Sequence, residues 1–291
     1  METPILTLPD HSVVIDMLRI TMLIYNYDKT FTINPSDNNI EQFVERIKSS
    51  HHIESLHMSE TRKEALLDIA KNNPHGRLYK FISDDETDIQ VGITINHAEK
   101  RVCIVFRGSE SLKDWYYDFQ VTKTLLTEGI KVHSGFYNQL HNTKVHDELV
   151  NHVKVILAEY PEYDIYCTGH SLGGALCTLF GYLLSFELED KITVVSFASP
   201  RVGNPAWKKS FEERPNLKHY RFTNNHDIIT AFPMYNYKHV GIDIHLYENS
   251  YKLDATNVKN CCICSCSLLN HWSISDHDCD LYYKRLLQNK W

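Results

Sequence analysis

The chain of 291 residues contains no long basic stretch, no evenly spaced cysteine framework, no uninterrupted apolar run of membrane-spanning length and no internal repeat. Each absence excludes something. There are 30 Lys and Arg against 37 Asp and Glu, a net charge of −7, so nucleic acid is a poor partner. The same charge disfavours tight binding to anionic membrane surfaces by charge alone. The apolar segment from Val13 to Tyr27 holds Asp16 and Arg19 and is too short to cross a bilayer, so no transmembrane segment is expected. Residues 1–12 lack a basic region followed by an apolar run, the pattern of a secretory leader. A cytoplasmic, reducing location is therefore expected. Cysteine usage agrees with this in part. Cys103, Cys167 and Cys177 stand singly in apolar segments, where a free thiol behaves as a small hydrophobe. Cys261, Cys262, Cys264, Cys266 and Cys279 crowd the C-terminal region.

Hydrophobic residues make up 43% and charged residues 23%, enough to build a sizeable core. Residues 13–27 and about 40–72 read as helical, with the break Asn34-Pro35-Ser36-Asp37 between them. Residues 89–95 alternate and 101–106 form an apolar run, and the connection Asn96 to Lys100 fits a hairpin. Further on, the patterns predict a helical stretch at about 134–160, a strand at 163–168, a helix at 171–186, a strand at 192–198, a helix at about 205–213 and a strand at 218–223. Such alternation implies parallel strands in the middle of a sheet with crossover helices on its faces. No linker divides the chain, so a single domain over 1–291 is the simpler expectation.

Chemistry concentrates at Gly169-His170-Ser171-Leu172-Gly173. Before it runs the apolar strand Asp164 to Thr168, and after it the apolar helix from Ala175 to Phe180. A Gly-x-Ser-x-Gly between strand and helix is the nucleophile elbow. The serine sits on a sharp, strained turn, and side chains two residues away on either side would collide there. The turn lifts the hydroxyl clear of the sheet and aims the positive end of a helix at the oxygen as it gains charge. With 11 Gly and 20 Ser, chance alone would produce the motif in roughly 3 of 100 such chains. The flanking strand and helix lower that further.

Other segments join the elbow in order. They are Val105-Phe106-Arg107-Gly108-Ser109 followed by Trp115, Val132-His133-Ser134-Gly135-Phe136, Ser199-Pro200-Arg201-Val202-Gly203-Asn204, Asn224-Asn225-His226-Asp227-Ile228-Ile229 and Tyr237-Lys238-His239-Val240-Gly241. With these, the chain resembles the class 3, or fungal-type, lipases from about residue 89 to 285. The resemblance implies an α/β-hydrolase fold, with a central, mostly parallel sheet flanked by helices. It also implies a catalytic core at 89–285, preceded by an N-terminal helical part at 1–80. The implied triad order is Ser, Asp, His, with Ser171 as nucleophile and Asp227 as acid.

Four histidines follow Asp227: His239, His245, His271 and His277. His239 falls in the family's strand motif and His245 in the same strand-like stretch. His277 precedes what reads as a C-terminal helix, as the family's catalytic histidine does, with Asp276 before it and Tyr282 after it. Asp278 departs from the small residue usually found next. His277 is the favoured catalytic histidine, with His271 as the alternative. The oxyanion donors implied are the backbone N–H groups of Leu172 and Ser109, although Arg107-Gly108-Ser109 would also serve as a plain turn after a strand. By resemblance the segment from Ser111 to Val121 is a lid, with Leu112, Trp115, Tyr116 and Phe119 on its substrate-facing side; otherwise it is a core helix with an aromatic stripe. The family pattern has no counterpart for Cys261, Cys262, Cys264 and Cys266. Free thiols in a variable loop, a zinc site with poorly matching spacing, lipidation and a redox-labile loop all fit that cluster.

The implied activity is serine carboxylester hydrolysis of lipid esters of the acylglycerol type, at a membrane or droplet interface, with no cofactor and no metal. The alternatives are a phospholipase A1 type, another acyl hydrolase or acyltransferase on the same triad, and a non-catalytic lipid-binding protein that keeps the fold.

Overall fold

A computed structural model describes residues 7–25, 68, 76–109, 122–255 and 273–291. Apart from Asp68, the helices expected within 40–72 lie outside the described residues, as do the lid residues Leu112, Trp115, Tyr116 and Phe119, the cluster from Cys261 to Cys266, and His271.

The first element is helix α1, His11–Ile24, capped by the Asp10 carboxylate, which accepts from the N–H groups of Ser12 and Val13. Strands β1 (Arg77–Asp84), β2 (Ile89–Asn96) and β3 (Arg101–Phe106) form an antiparallel meander. The chain therefore already runs as a strand at 77–80, where a helical part was expected. Next comes a two-stranded ribbon, β4 (Lys123–Thr127) with β5 (Ile130–His133). Two helices follow, α2 (Ser134–His141) and α3 (Val145–Glu159), in place of the one expected over 134–160. The break has a cause. Lys144 takes a left-handed conformation, φ 62°, which an uninterrupted helix cannot hold, and the reorientation lets Leu140, Val145 and Leu149 all enter the core.

The remaining elements alternate. They are β6 (Asp164–His170), α4 (Leu172–Leu184), β7 (Ile192–Phe197), α5 (Pro205–Glu212), β8 (Leu217–Asn224), β9 (Ile242–Leu246), β10 (Tyr251–Ala255) and α6 (Cys279–Gln288). Among the described residues, eight strands make one sheet in the order β1-β2-β3-β6-β7-β8-β9-β10. The pairs from β3 through β9 are parallel, and antiparallel strands finish both edges. Tyr237 to Gly241 is not a strand: Lys238 forms an isolated bridge to Gly203, and the ladder starts at Ile242.

Side chains alternate across the strands and build a core on each face. On one side Val102, Ile104 and Phe106 of β3, Ile165 and Cys167 of β6, and Ile192 and Val194 of β7 pack with α2 to α5. On the other, Cys103, Val105, Val195, Phe197, Tyr220 and Phe222 pack with α1 and α6. Each fully buried aliphatic or aromatic side chain contributes on the order of 2 kcal/mol. The two termini thus meet on one face, and α1 braces the central strands β3, β6 and β7.

Candidate active site

The parallel strands end on one side of the sheet, and the turns that follow them gather there. Between β6 and α4 the chain turns in a single residue. Ser171 stands at φ 59°, ψ −124°, a conformation that side chains rarely adopt, and its N–H is held by the Phe197 carbonyl at 3.0 Å. The turn is so tight that a Cβ on Gly169 would lie 2.3 Å from the Gly173 oxygen, and one on Gly173 only 2.2 Å from the Phe106 oxygen. The second distance also shows that the exit of β3 runs against the elbow. A Cβ on Gly108 would lie 2.6 Å from the His170 oxygen. Residues 106–108 therefore pass directly beside 169–173, and Ser109 is the next residue in the chain. Leu172, the first residue of α4, has one of the N–H groups that a helix leaves without an internal partner.

Asp227 lies three residues past β8, and His277 ends a short 3-10 turn, Ser275–His277, just before α6. A bridge between Asp227 and Ser273, and the bond from the Ser273 N–H to the His226 carbonyl at 3.0 Å, bring the two loops side by side. The Asp276 carboxylate ties them again. It accepts from the His226 N–H at 3.3 Å and from the Asn225 amide at 3.5 Å, and it pairs with Arg285 at 2.9 Å. Arg201 donates to the carbonyls of Ala231 and Pro233, securing the loop after Asp227 from the α5 side.

The result is a continuous hydrogen-bonded line. His277 Nε2 lies 2.8 Å from Ser171 Oγ, and His277 Nδ1 lies 2.9 Å from both Asp227 oxygens. The Tyr282 hydroxyl donates to Asp227 Oδ2 at 2.7 Å and accepts from the Asn224 N–H at 2.8 Å, while the Ile229 N–H donates to Oδ1 at 3.0 Å. Ser171, Asp227 and His277 are all buried. Burial, and then the Asp227 charge beside it, push the Tyr282 phenol well above its usual range, which keeps it a neutral donor.

Among the described residues, the other two histidines after Asp227 go elsewhere. His239 is half-buried, with Nε2 2.6 Å from the Thr230 carbonyl, and loss of hydration, then Arg221 and Arg201, hold it well below the usual imidazole range. His245 meets the Thr223 hydroxyl at 2.8 Å. Two contacts were not anticipated from sequence. His170, the variable residue of the elbow motif, places Nε2 2.8 Å from the His277 carbonyl, and its Nδ1 meets the Tyr25 hydroxyl at 3.2 Å. The only signal for His170 was its place inside the motif; Tyr25 had none beyond its position near the end of an apolar segment.

A serine, a histidine and an aspartate joined in this way on a sheet with parallel inner strands define a hydrolase-type site on an α/β-hydrolase fold. Residues 103–237, a little under half of the chain, match the family model described as Lipase (class 3). Among its relatives is a protein named secreted mono- and diacylglycerol lipase A from Penicillium cyclopium, 32% identical over 158 residues, which cover 54% of this chain and 50% of that one. A triacylglycerol lipase whose catalytic centre is formed by a serine protease triad superposes with a TM-score of 0.64 at 27% identity, covering 72% of this chain and 81% of that structure. A lipase from Rhizopus microsporus var. chinensis superposes with a TM-score of 0.71 at 22% identity, covering 95% and 89%. The chain spans about half the length of the curated relatives it matches.

The relatives correct the cytoplasmic expectation, because two of them are named as secreted lipases. The physical reason is that the cysteines used for that reading do not report on a compartment. Cys103, Cys167, Cys177 and Cys279 are buried, and an apolar core shields a thiol in any surroundings. Among the described residues no helix is long and apolar enough to cross a membrane, and no cluster of three metal-ligating side chains occurs.

Proposed function

We propose that this chain is a serine carboxylester hydrolase of the acylglycerol lipase type. In this reading Ser171 is the nucleophile, His277 the general base and then acid, and Asp227 the group that orients and stabilises the imidazolium. The observation that carries the reading is the line from Ser171 Oγ through both nitrogens of His277 to Asp227. Asp227 accepts a hydrogen bond from the Nδ1–H, so Nε2 faces the serine with its lone pair. At 2.8 Å it is within reach of the hydroxyl proton as the oxygen attacks an ester carbonyl. Proton transfer at such a distance contributes about 10²–10⁴-fold. The tetrahedral oxygen takes hydrogen bonds from the N–H groups of Leu172 and Ser109, each worth about 3 kcal/mol in such sites. His277 then hands its proton to the departing alcohol, and water, activated by the same imidazole, releases the acid from the acyl-enzyme.

The substrate class is read from the relatives. The relative from Penicillium cyclopium carries mono- and diacylglycerol lipase in its name, which supports an acylglycerol ester for this chain. We take 89–285 as the catalytic core of a single domain, Leu112, Trp115, Tyr116 and Phe119 as lid residues, and a lipid interface as the place of action. A fluorophosphonate probe tests the chemistry. Wild type is expected to be labelled and Ser171→Ala is not; equal labelling of both removes the nucleophile. Monoolein, diolein, triolein and phosphatidylcholine, presented as emulsions, then test the substrate class. Faster turnover of phosphatidylcholine than of any acylglycerol would replace the acylglycerol reading with a phospholipase one.

A further inference from the structure

We infer that His170 is a positioning residue for His277, held in its working tautomer by Tyr25 at the end of α1. This inference rests on the serine-hydrolase reading above and adds to it a clamp on the base. The contact in question is to the main chain of His277, not to its ring. His277 is fully buried, its N–H is spent on the Ile274 carbonyl at 3.0 Å, and its own carbonyl lies 2.8 Å from His170 Nε2. A carbonyl can only accept, so His170 Nε2 carries the proton. In the neutral ring Nδ1 is then an acceptor, and the Tyr25 hydroxyl 3.2 Å away is its donor. One tautomer satisfies both contacts.

Among the described residues, the groups facing the His170 ring include Tyr25, the His277 ring with its centroid 4.8 Å away, and Tyr282 at 5.7 Å. Asp227 lies behind the last two, bonded to both.

The consequence is geometric. His170 is the residue immediately before Ser171, so the turn that presents the nucleophile also grips the backbone of the base. The Ser171–His277 separation is thereby set inside one small unit, although the two residues lie 106 positions apart. Tyr25 extends that unit to α1, and its hydroxyl also fills the space over Gly108, where a Cβ would lie 2.1 Å from it. The end of α1 thus touches both the clamp on the base and the segment that precedes Ser109. Misplacing a catalytic group by about 1 Å can cost on the order of 10²-fold in rate, so losing the clamp should register in turnover more than in binding.

Three variants test this: His170→Phe, which keeps a flat ring without a donor; His170→Gln, which restores an amide donor at similar reach; and Tyr25→Phe, which removes only the hydroxyl. The readouts are the rate constant for fluorophosphonate labelling of Ser171 across pH, kcat and KM on p-nitrophenyl butyrate, and the low-field proton resonance of His277 Nδ1–H. His170→Phe is expected to lower the labelling plateau and kcat by roughly tenfold or more with KM little changed. It should also displace both the pH midpoint and the low-field resonance. His170→Gln should recover most of the plateau, and Tyr25→Phe should fall between wild type and His170→Phe. If His170→Phe does not fold, the other two variants carry the comparison. The inference is overturned if folded His170→Phe, or Tyr25→Phe where His170→Phe does not fold, keeps the wild-type plateau, pH midpoint and resonance, whatever happens to its melting temperature. Failure of wild type itself to be labelled, by contrast, strikes the serine-hydrolase reading.

Discussion

The backbone at Ser171 offers a test in which the sign of the answer decides. Its φ of 59° with ψ of −124° lies in a region that costs an ordinary residue about 1–3 kcal/mol and glycine almost nothing. Compare Ser171→Gly with Ser171→Ala. Both lose the hydroxyl and its bond to His277, so that loss cancels in the difference. What is left is the backbone. Glycine gains the relief of strain and gives up about 0.5–1 kcal/mol to its greater freedom in the unfolded chain. The net expectation is that Ser171→Gly is more stable than Ser171→Ala by about 0.5–2 kcal/mol. In a domain of this general size, each kcal/mol moves the melting point by roughly 2–4 °C. Urea denaturation of the two inactive variants, side by side, measures the difference. At an unstrained position the order inverts, with alanine ahead by about 0.5–1 kcal/mol. Finding alanine ahead would refute the argument that the elbow stores strain to present its hydroxyl.

Three further outcomes follow from the packing around the site. Gly173→Ala would drive a methyl to 2.2 Å from the Phe106 oxygen and 2.9 Å from the Arg107 carbonyl carbon, both backbone, so about 1–3 kcal/mol of stability and most fluorophosphonate labelling should be lost together; retained labelling would show that the β3 exit yields easily. Tyr282→Phe leaves the buried Asn224 N–H without its acceptor and Asp227 without one donor, which should cost about 1–3 kcal/mol in urea titrations and lower kcat with KM unchanged. His219 is pushed down to about 3, first by burial and then by Arg221. Because its folded value lies below the unfolded value near 6.5, the unfolded chain binds the extra proton between those two points. The stability held above pH 6.5 is therefore lost as pH falls toward 3, by up to about 1.4 kcal/mol per unit from this group. Denaturation midpoints at pH 7, 5.5 and 4.5 should fall steeply in wild type and less so in His219→Gln; parallel slopes would clear His219 of the effect.

The elbow could be read from sequence because its causes are local. Gly169 and Gly173 flank Ser171 within five positions, between an apolar strand and an apolar helix, and the steric demand that requires them acts over the same five residues. Strands β2, β3, β6, β7 and β8 could be read for a similar reason, since buried strands are short apolar runs between turn residues. The edges could not. β1 and β10 carry mixed polar sequences whose pairing is decided by the neighbour they meet, and the break at Lys144 depends on where Leu140 and Val145 must point. Among four candidate histidines, position before α6 favoured His277 on resemblance alone, and only the distances bring its ring between Ser171 and Asp227.

By itself the sequence determined what propagates through neighbouring residues: the strand-turn-helix at 169–173, the alternation that makes the sheet's parallel centre, and the chemical types available as nucleophile, acid and base. Tertiary structure alone decided which distant groups converge. Asp276 with Arg285 draws the histidine loop onto the aspartate loop, Tyr282 reaches from α6 to Asp227, and Tyr25 reaches from α1 to His170. The reason is that these contacts depend on how two layers of helices settle on a twisted sheet, a three-dimensional fit between residues as far apart as 145 positions that no local pattern encodes.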